Sequence, residues 1–163
     1  YNSELGNKIG NLLSRVAKFS NKNFGGKVPA PGPLSAEDDA LRKSVVEATS
    51  GFSRWIDLQD IPARAQAIVT LAEEMNEYID KQAPWTLFKS EETRERCQTV
   101  IYVTLDGLRV IMEALQQVIP GSADKALAML NAPAAPSPWV PVLDRLEGNG
   151  ELGEIESLFP RVQ

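Results

Sequence analysis

Four polar residues near the start of the chain, Asn11, Arg15, Lys18 and Lys22, recur at steps of four, three and four. On a helix that spacing places them in one stripe. The stripe has two readings. It is the solvated side of an amphipathic helix, or it faces RNA, with Lys18 and Lys22 on phosphate while Asn11 and Arg15 read base edges one turn apart. Arginine offers a rigid fork of donors, and asparagine offers both a donor and an acceptor. A second feature lies in QAPWTLFKSEE, residues 82–92, where Pro84 and Trp85 fall at the joint between two long helical patterns. A tryptophan there is either a packing residue or an exposed platform, stiffened by the adjacent proline, on which a base stacks. The residues by themselves leave both pairs of readings open.

The other reactive side chains assemble no site. The chain has no histidine, which removes the commonest general base and the commonest metal ligand. Glu73-Glu74 and Glu91-Glu92 are adjacent on helices, so each pair diverges by about 100° and solvates the surface. The glycines of FGG at 24–26 suit the end of a helix, and the Lys-Ser/Thr of a phosphate loop does not follow them. Cys97 is the one cysteine, so there is no internal disulfide, and its place on an apolar stripe suits packing. No nucleophile, base and oxyanion donor come together, and neither catalysis nor a bound metal is expected of these residues.

The elements that must position these groups are helical almost throughout. Leu5, Ile9, Leu12, Val16 and Phe19 form a first apolar stripe, and Leu41, Val45, Ala48, Phe52 and Trp55 a second. Ile61, Ala65, Ile68, Ala72, Met75 and Ile79 form a third. The fourth is the longest, running from Cys97 through Ile101, Leu105, Leu108, Met112 and Leu115 to Ile119. Ser35 and Ser90 stand where N-caps belong, each followed by acidic residues that suit the helix dipole. Asp60 precedes IPAR, which puts a proline in a first helical turn. These signals predict an all-α bundle of four long helices and a shorter fifth within residues 1–131. The tail, 132–163, is too rich in proline and glycine for a long helix. It is also too apolar for a free linker, with Trp139, Val140, Leu143, Leu146, Leu158 and Phe159. It is expected to fold back on the bundle or onto a neighbouring domain, with a turn or short hairpin in GNGELGEIESLF.

A chain of 163 residues holds one domain with a proper core. Its 43% hydrophobic and 24% charged content is ordinary for globular proteins. No apolar run approaches the roughly 20 residues that cross a bilayer, and YNSELGNKIG lacks the regions of a signal peptide. A soluble, reducing, cytoplasmic setting is expected. The net charge of −5 argues against bulk coating of nucleic acid. Residues 1–27 are the exception, with Lys8, Arg15, Lys18, Lys22 and Lys27 against Glu4. That segment suits one localised anion contact or one solvated helix face.

Four segments taken together resemble a known family. They are ELGNKIGNLLSRVAKFSNKNFGGKVP, LAEEMNEYIDKQAPWTLFK, LRVIMEALQQVIPGSADKALAMLN and the closing LFPRVQ. In order and spacing they are similar to the C-terminal anticodon-binding domain of methionyl-tRNA synthetases, and the likeness covers nearly the whole chain. The resemblance implies that Asn11 and Arg15 help recognise the anticodon and that Trp85 stacks on its first base, a flipped-out cytosine. It also implies that Asn76, Tyr78 and Pro84 support the site from beneath. One departure is Gln117, where the family often has a further proline.

The resemblance implies a methionine–tRNA ligase as parent. Its partners would be the CAU anticodon loop of tRNA(Met) and an upstream catalytic domain of the same chain, with no DNA and no membrane. ATP and Mg would serve that catalytic domain, with its HIGH-like and KMSKS-like motifs. The present residues would bind no cofactor and catalyse nothing. Two alternatives stand beside this: the same helical domain from another class I synthetase, and a helical protein-interaction module without RNA binding.

Overall fold

An isolated amphipathic helix is marginal in water, so each apolar stripe needs a partner before it forms. The structure, a computed structural model, describes residues 2–52 and 58–154. In chain order the helices are α1 (Asn2–Asn23), α2 (Ala36–Ser50), α3 (Ile61–Gln82), α4 (Pro84–Leu87), α5 (Glu91–Leu115) and α6 (Pro120–Met129). The four long ones and the shorter α6 are the predicted bundle, and α4 adds a single turn at the Pro84–Trp85 joint. Trp55, Leu158, Phe159 and the LFPRVQ ending lie outside the described residues.

Side-chain contacts set the order of the bundle. Lys8 pairs with Glu73 at 3.1 Å and Arg15 with Asp80 at 3.0 Å, so α1 and α3 run parallel. Asp38 of α2 meets both Tyr78 of α3 and Arg96 of α5. Further along α5, a Cβ at Gly107 would lie 3.3 Å from Val45 and 3.2 Å from Met75. The missing side chain at Gly107 lets α2, α3 and α5 approach at that level. α1 also packs against α5, which closes a square of helices. Two glycines end α1: Gly25 and Gly26 have φ of 64° and 74°, a region that residues with a Cβ enter at a cost.

α5 is the central helix, buried on every side from Thr99 to Leu115. Its buried face includes three charges that the apolar stripe did not anticipate. Arg109 donates to Asp106 at 3.0 Å and to Glu113 at 2.9 Å. Each member of this triad also holds the tail. Arg109 donates to the Val142 carbonyl, Glu113 accepts from the Trp139 indole at 2.9 Å, and Asp106 accepts from the Asp144 and Leu146 amides. Tyr102 adds a bond to the Leu146 carbonyl at 2.8 Å. Residues 139–146 are thus strapped along α5 by polar groups that would otherwise be buried unpaired.

Two local expectations need correction. Ser90 occupies the N-cap position of α5, but its side chain makes no capping bond. The hydroxyl of Thr93 instead donates to the carbonyls of Leu87 and Ser90. The fourth stripe does not carry a helix to Ile119: α5 ends at Leu115, and Ile119 takes φ −133° as the N-cap of α6. Pro120 disfavours helical geometry in the residue before it. The described part of GNGELGEIESLF has the expected turn, at Glu147–Gly150, and pairs with Gly26–Val28. Gln117, the departure noted above, bonds the Phe52 carbonyl at 2.7 Å. Ser35 does cap α2, in a reciprocal box with Asp38. Pro62 does sit in the first turn of α3, after Asp60.

Replacing Arg109 with alanine leaves two buried carboxylates without their cation. Breaking such a set costs about 3–5 kcal/mol, so the urea midpoint of Arg109→Ala should drop sharply. Arg42→Ala removes ion pairs to Asp39 and Asp144 whose carboxylates are exposed, and should lose less than about 1 kcal/mol.

Candidate nucleic-acid interface

The geometry of the joint follows from one residue. α3 ends at Gln82, and Ala83 turns the chain with φ 48° and ψ 65° before α4 begins. Pro84 then starts the new turn, where its fixed φ is suited and its missing N–H is not needed. The Ala83 carbonyl accepts from the Thr86 and Leu87 amides at 2.9 and 3.1 Å. Pro84 is buried, whereas Trp85 is 41% exposed. Trp85 lies against α1, with the guanidinium of Arg15 4.9 Å from the centre of its ring. Val16, Phe19, Ile79 and Ile101 floor a small apolar pocket of about 40 Å³ between these two side chains.

The structure therefore brings Arg15 and Trp85 into contact. Asn11 is exposed one turn before Arg15 on α1, and Lys18 and Lys22 are exposed further along it. Asn76 is half-buried on α3, and Tyr78 is buried and faces α2. Sequence reasoning missed Asp80, which accepts from Arg15 and holds its guanidinium beside the ring. A signal existed: Lys8 and Arg15 are seven apart, as are Glu73 and Asp80. It becomes legible only once α1 and α3 are known to be parallel neighbours.

Beneath the joint lies a second missed cluster. The Asp38 carboxylate accepts from Tyr78, from both terminal nitrogens of Arg96 and from the Ser35 amide. Burial would raise its pKa, but the hydrogen bonds from Arg96, Tyr78 and Ser35 outweigh burial and hold it below the ordinary 3.8. Burial and the Asp38 carboxylate together raise the pKa of Tyr78, which stays a neutral donor. Arg96 also donates to the Gln82 side chain at 2.9 Å, at the last residue of α3. Cys97 is fully buried and its thiol donates to the Pro84 carbonyl at 3.3 Å. Burial pushes that thiol up to about 11, against the pull of the Arg94 charge, so it keeps its proton.

Two larger grooves, of about 290 and 200 Å³, lie between α2 and α3. Glu37, Glu47, Glu74 and Glu77 line them, so they repel a phosphate backbone despite their size. Among the described residues no group of three or more His, Cys, Asp or Glu is placed to hold a metal. Among the described residues no helix is long and apolar enough to cross a membrane.

A helical bundle of this layout occurs in an aminoacyl-tRNA synthetase. It matches the apo form of Mycobacterium tuberculosis methionyl-tRNA synthetase with a TM-score of 0.88 and 32% identity, over 99% of this chain and 33% of that one. The family model for the anticodon binding domain of methionyl tRNA ligase matches residues 28–163, and the chain belongs to that family. A methionine–tRNA ligase of Brucella melitensis is 36% identical over 161 residues, 98% of this chain and 31% of that protein. One from Corynebacterium jeikeium is 39% identical over 129 residues, 79% of this chain and 21% of that protein. The chain thus spans between about a fifth and a third of the length of these relatives. α1 precedes the matched family region, but the 161-residue alignment includes it.

Because Cys97 is buried and protonated, thiol reagents at pH 8 should leave it unmodified in the native protein and label it fully in urea. Its folded value of about 11 lies above the ordinary 9.0, so the folded state holds the proton longer. The stability it contributes is complete below pH 9 and lost as pH rises through about 11. Alkaline unfolding curves of Cys97→Ala should lack this component.

Proposed function

We propose that this chain recognises the CAU anticodon of tRNA(Met) for a methionine–tRNA ligase, with Trp85 stacking on the cytosine and Arg15 and Asn11 reading its edge. The observation that carries the reading is the exposed Trp85 ring held against Arg15 on the basic helix. Stacking on Trp85 accepts any base and is worth roughly 1–3 kcal/mol. Choice comes from the Watson–Crick edge. Cytosine offers acceptors at its ring nitrogen and keto oxygen, whereas the uracil ring nitrogen carries a hydrogen that meets a donor head-on. An unpaired donor in that position costs about 1–3 kcal/mol.

The geometry adds a step. The guanidinium already covers one face of the ring, so a base that is to be read by Arg15 takes that place and displaces Arg15 to its edge. Giving up an exposed cation–π contact costs about 0.5–1 kcal/mol, and loosening a surface ion pair about 0–1 kcal/mol. These losses offset much of the stacking gain, so selectivity rests on the edge. Asp80 anchors Arg15 at the rim while it moves. Lys18 and Lys22 hold phosphates without regard to sequence, and RNA loops with unstacked bases are the targets that proteins read in this way.

The parent attaches methionine to tRNA in the cytoplasm. ATP and Mg belong to its upstream catalytic domain; a Mycobacterium tuberculosis methionyl-tRNA synthetase, of which this chain covers 32%, is solved in complex with methionyl-adenylate. The bundle holds the tRNA so that its acceptor end reaches that domain. In the full-length ligase, Trp85→Ala should lower the charging rate by at least tenfold, more than about 1.4 kcal/mol, and leave methionine activation intact. A comparable loss in both would mean a folding defect. Arg15→Gln should narrow the ratio of charging rates between CAU and UAU tRNAs. Lys22→Ala should weaken both alike and flatten the salt dependence; an equal, sequence-blind loss in Arg15→Gln would make Arg15 a phosphate contact.

A further inference from the structure

We infer that the first two turns of α5 are a positioning element for Trp85, in which Thr93, Arg94, Arg96 and Cys97 fix the backbone on both sides of the ring. The inference rests on the anticodon reading above and extends it to residues that touch no base. α4 is one turn long, and such a turn has no intrahelical partners for its last carbonyls and little stability of its own. Pro84 is buried and Leu87 and Phe88 pack against the core, while Trp85 is left 41% exposed. The Phe88 amide meets the Pro84 carbonyl at 2.9 Å and the Lys89 amide that of Thr86 at 3.1 Å, and α5 adds side-chain donors to this turn. Cys97 donates to the carbonyl of Pro84 at 3.3 Å, immediately before Trp85. Thr93 donates to that of Leu87, and Arg94 to that of Phe88 at 2.9 Å with its guanidinium 4.5 Å above the Phe88 ring. Arg96 holds the Gln82 side chain at 2.9 Å, immediately before the left-handed Ala83. Four donors in five consecutive residues of one helix thus bracket a turn that contains a single exposed aromatic residue. Without them the strained Ala83–Pro84 reversal is free to relax, and Trp85 loses its register against Arg15.

The test uses the full-length ligase labelled with 5-fluorotryptophan, in which the Trp85 resonance is assigned by its loss in Trp85→Phe. In Thr93→Val/Arg94→Leu the Trp85 resonance should shift or broaden while that of Trp139 stays in place. Affinity for a CAU stem–loop should fall about tenfold with methionine activation unchanged, and Thr93→Ser/Arg94→Lys should recover part of the loss. Cys97 gives an independent comparison if the double variant does not fold. Cys97→Ser keeps a donor to Pro84 and should bind RNA better than Cys97→Ala, the reverse of the order a purely apolar packing role gives. An unmoved Trp85 resonance, or Cys97→Ala equal to Cys97→Ser, overturns the inference. If Trp85→Phe and Trp85→Ala both bind the stem–loop like the wild type, the anticodon reading fails, and the resonance alone still decides whether α5 positions the ring.

Discussion

Ala83 ends α3 in the left-handed region, at φ 48° and ψ 65°, where a residue with a Cβ is less stable by about 1–2 kcal/mol. The surroundings must over-determine such a conformation for it to persist. They do so from three sides. The Ala83 amide closes the last turn of α3 on the Ile79 carbonyl, its own carbonyl starts α4, and Pro84 is buried against Cys97. The reversal is what separates Pro84 from Trp85: one residue faces the core and the next faces α1. A regular helix through this point would carry Trp85 on with the α3 surface and away from Arg15.

Charge is used in two ways in this bundle. Buried groups fix the architecture: Asp38 with Arg96 joins α2 to α5 beneath the joint, and Asp106, Arg109 and Glu113 bind the tail to α5. These sets are costly to break because removing one member leaves another buried and unpaired. Exposed groups on α1 are held lightly. Arg15 and Lys8 each pair with one exposed carboxylate of α3, and surface pairs of this kind contribute about 0–1 kcal/mol.

The helices were legible in the sequence because burial in a bundle imposes the period of the α-helix, as in Leu5, Ile9, Leu12 and Val16. The capping box of Ser35 and the proline after Asp60 were legible because they are local. Ser90 was misjudged because its position fitted a cap while Thr93, three residues on, took the backbone acceptors. Asp80, Asp38 and Arg96 were invisible as a group, since their partners lie tens of residues away and depend on which helices adjoin. Asp106, Arg109 and Glu113 left a trace, being the charged positions in the stretch 99–115 of α5, which is otherwise apolar apart from two threonines and a glycine. Trp85 could not be settled from spacing, because a buried and an exposed tryptophan at a helix joint have the same sequence.

In the proposed function the Arg15–Trp85 corner is the discriminating surface and the rest of the bundle its support. The most direct measurement is the affinity of the full-length protein for two RNA stem–loops that differ in one base, CAU and UAU, at matched salt. CAU should bind at least about fivefold more tightly, the lower end of about 1–3 kcal/mol for one mismatched edge. Equal affinity for the two would contradict this reading.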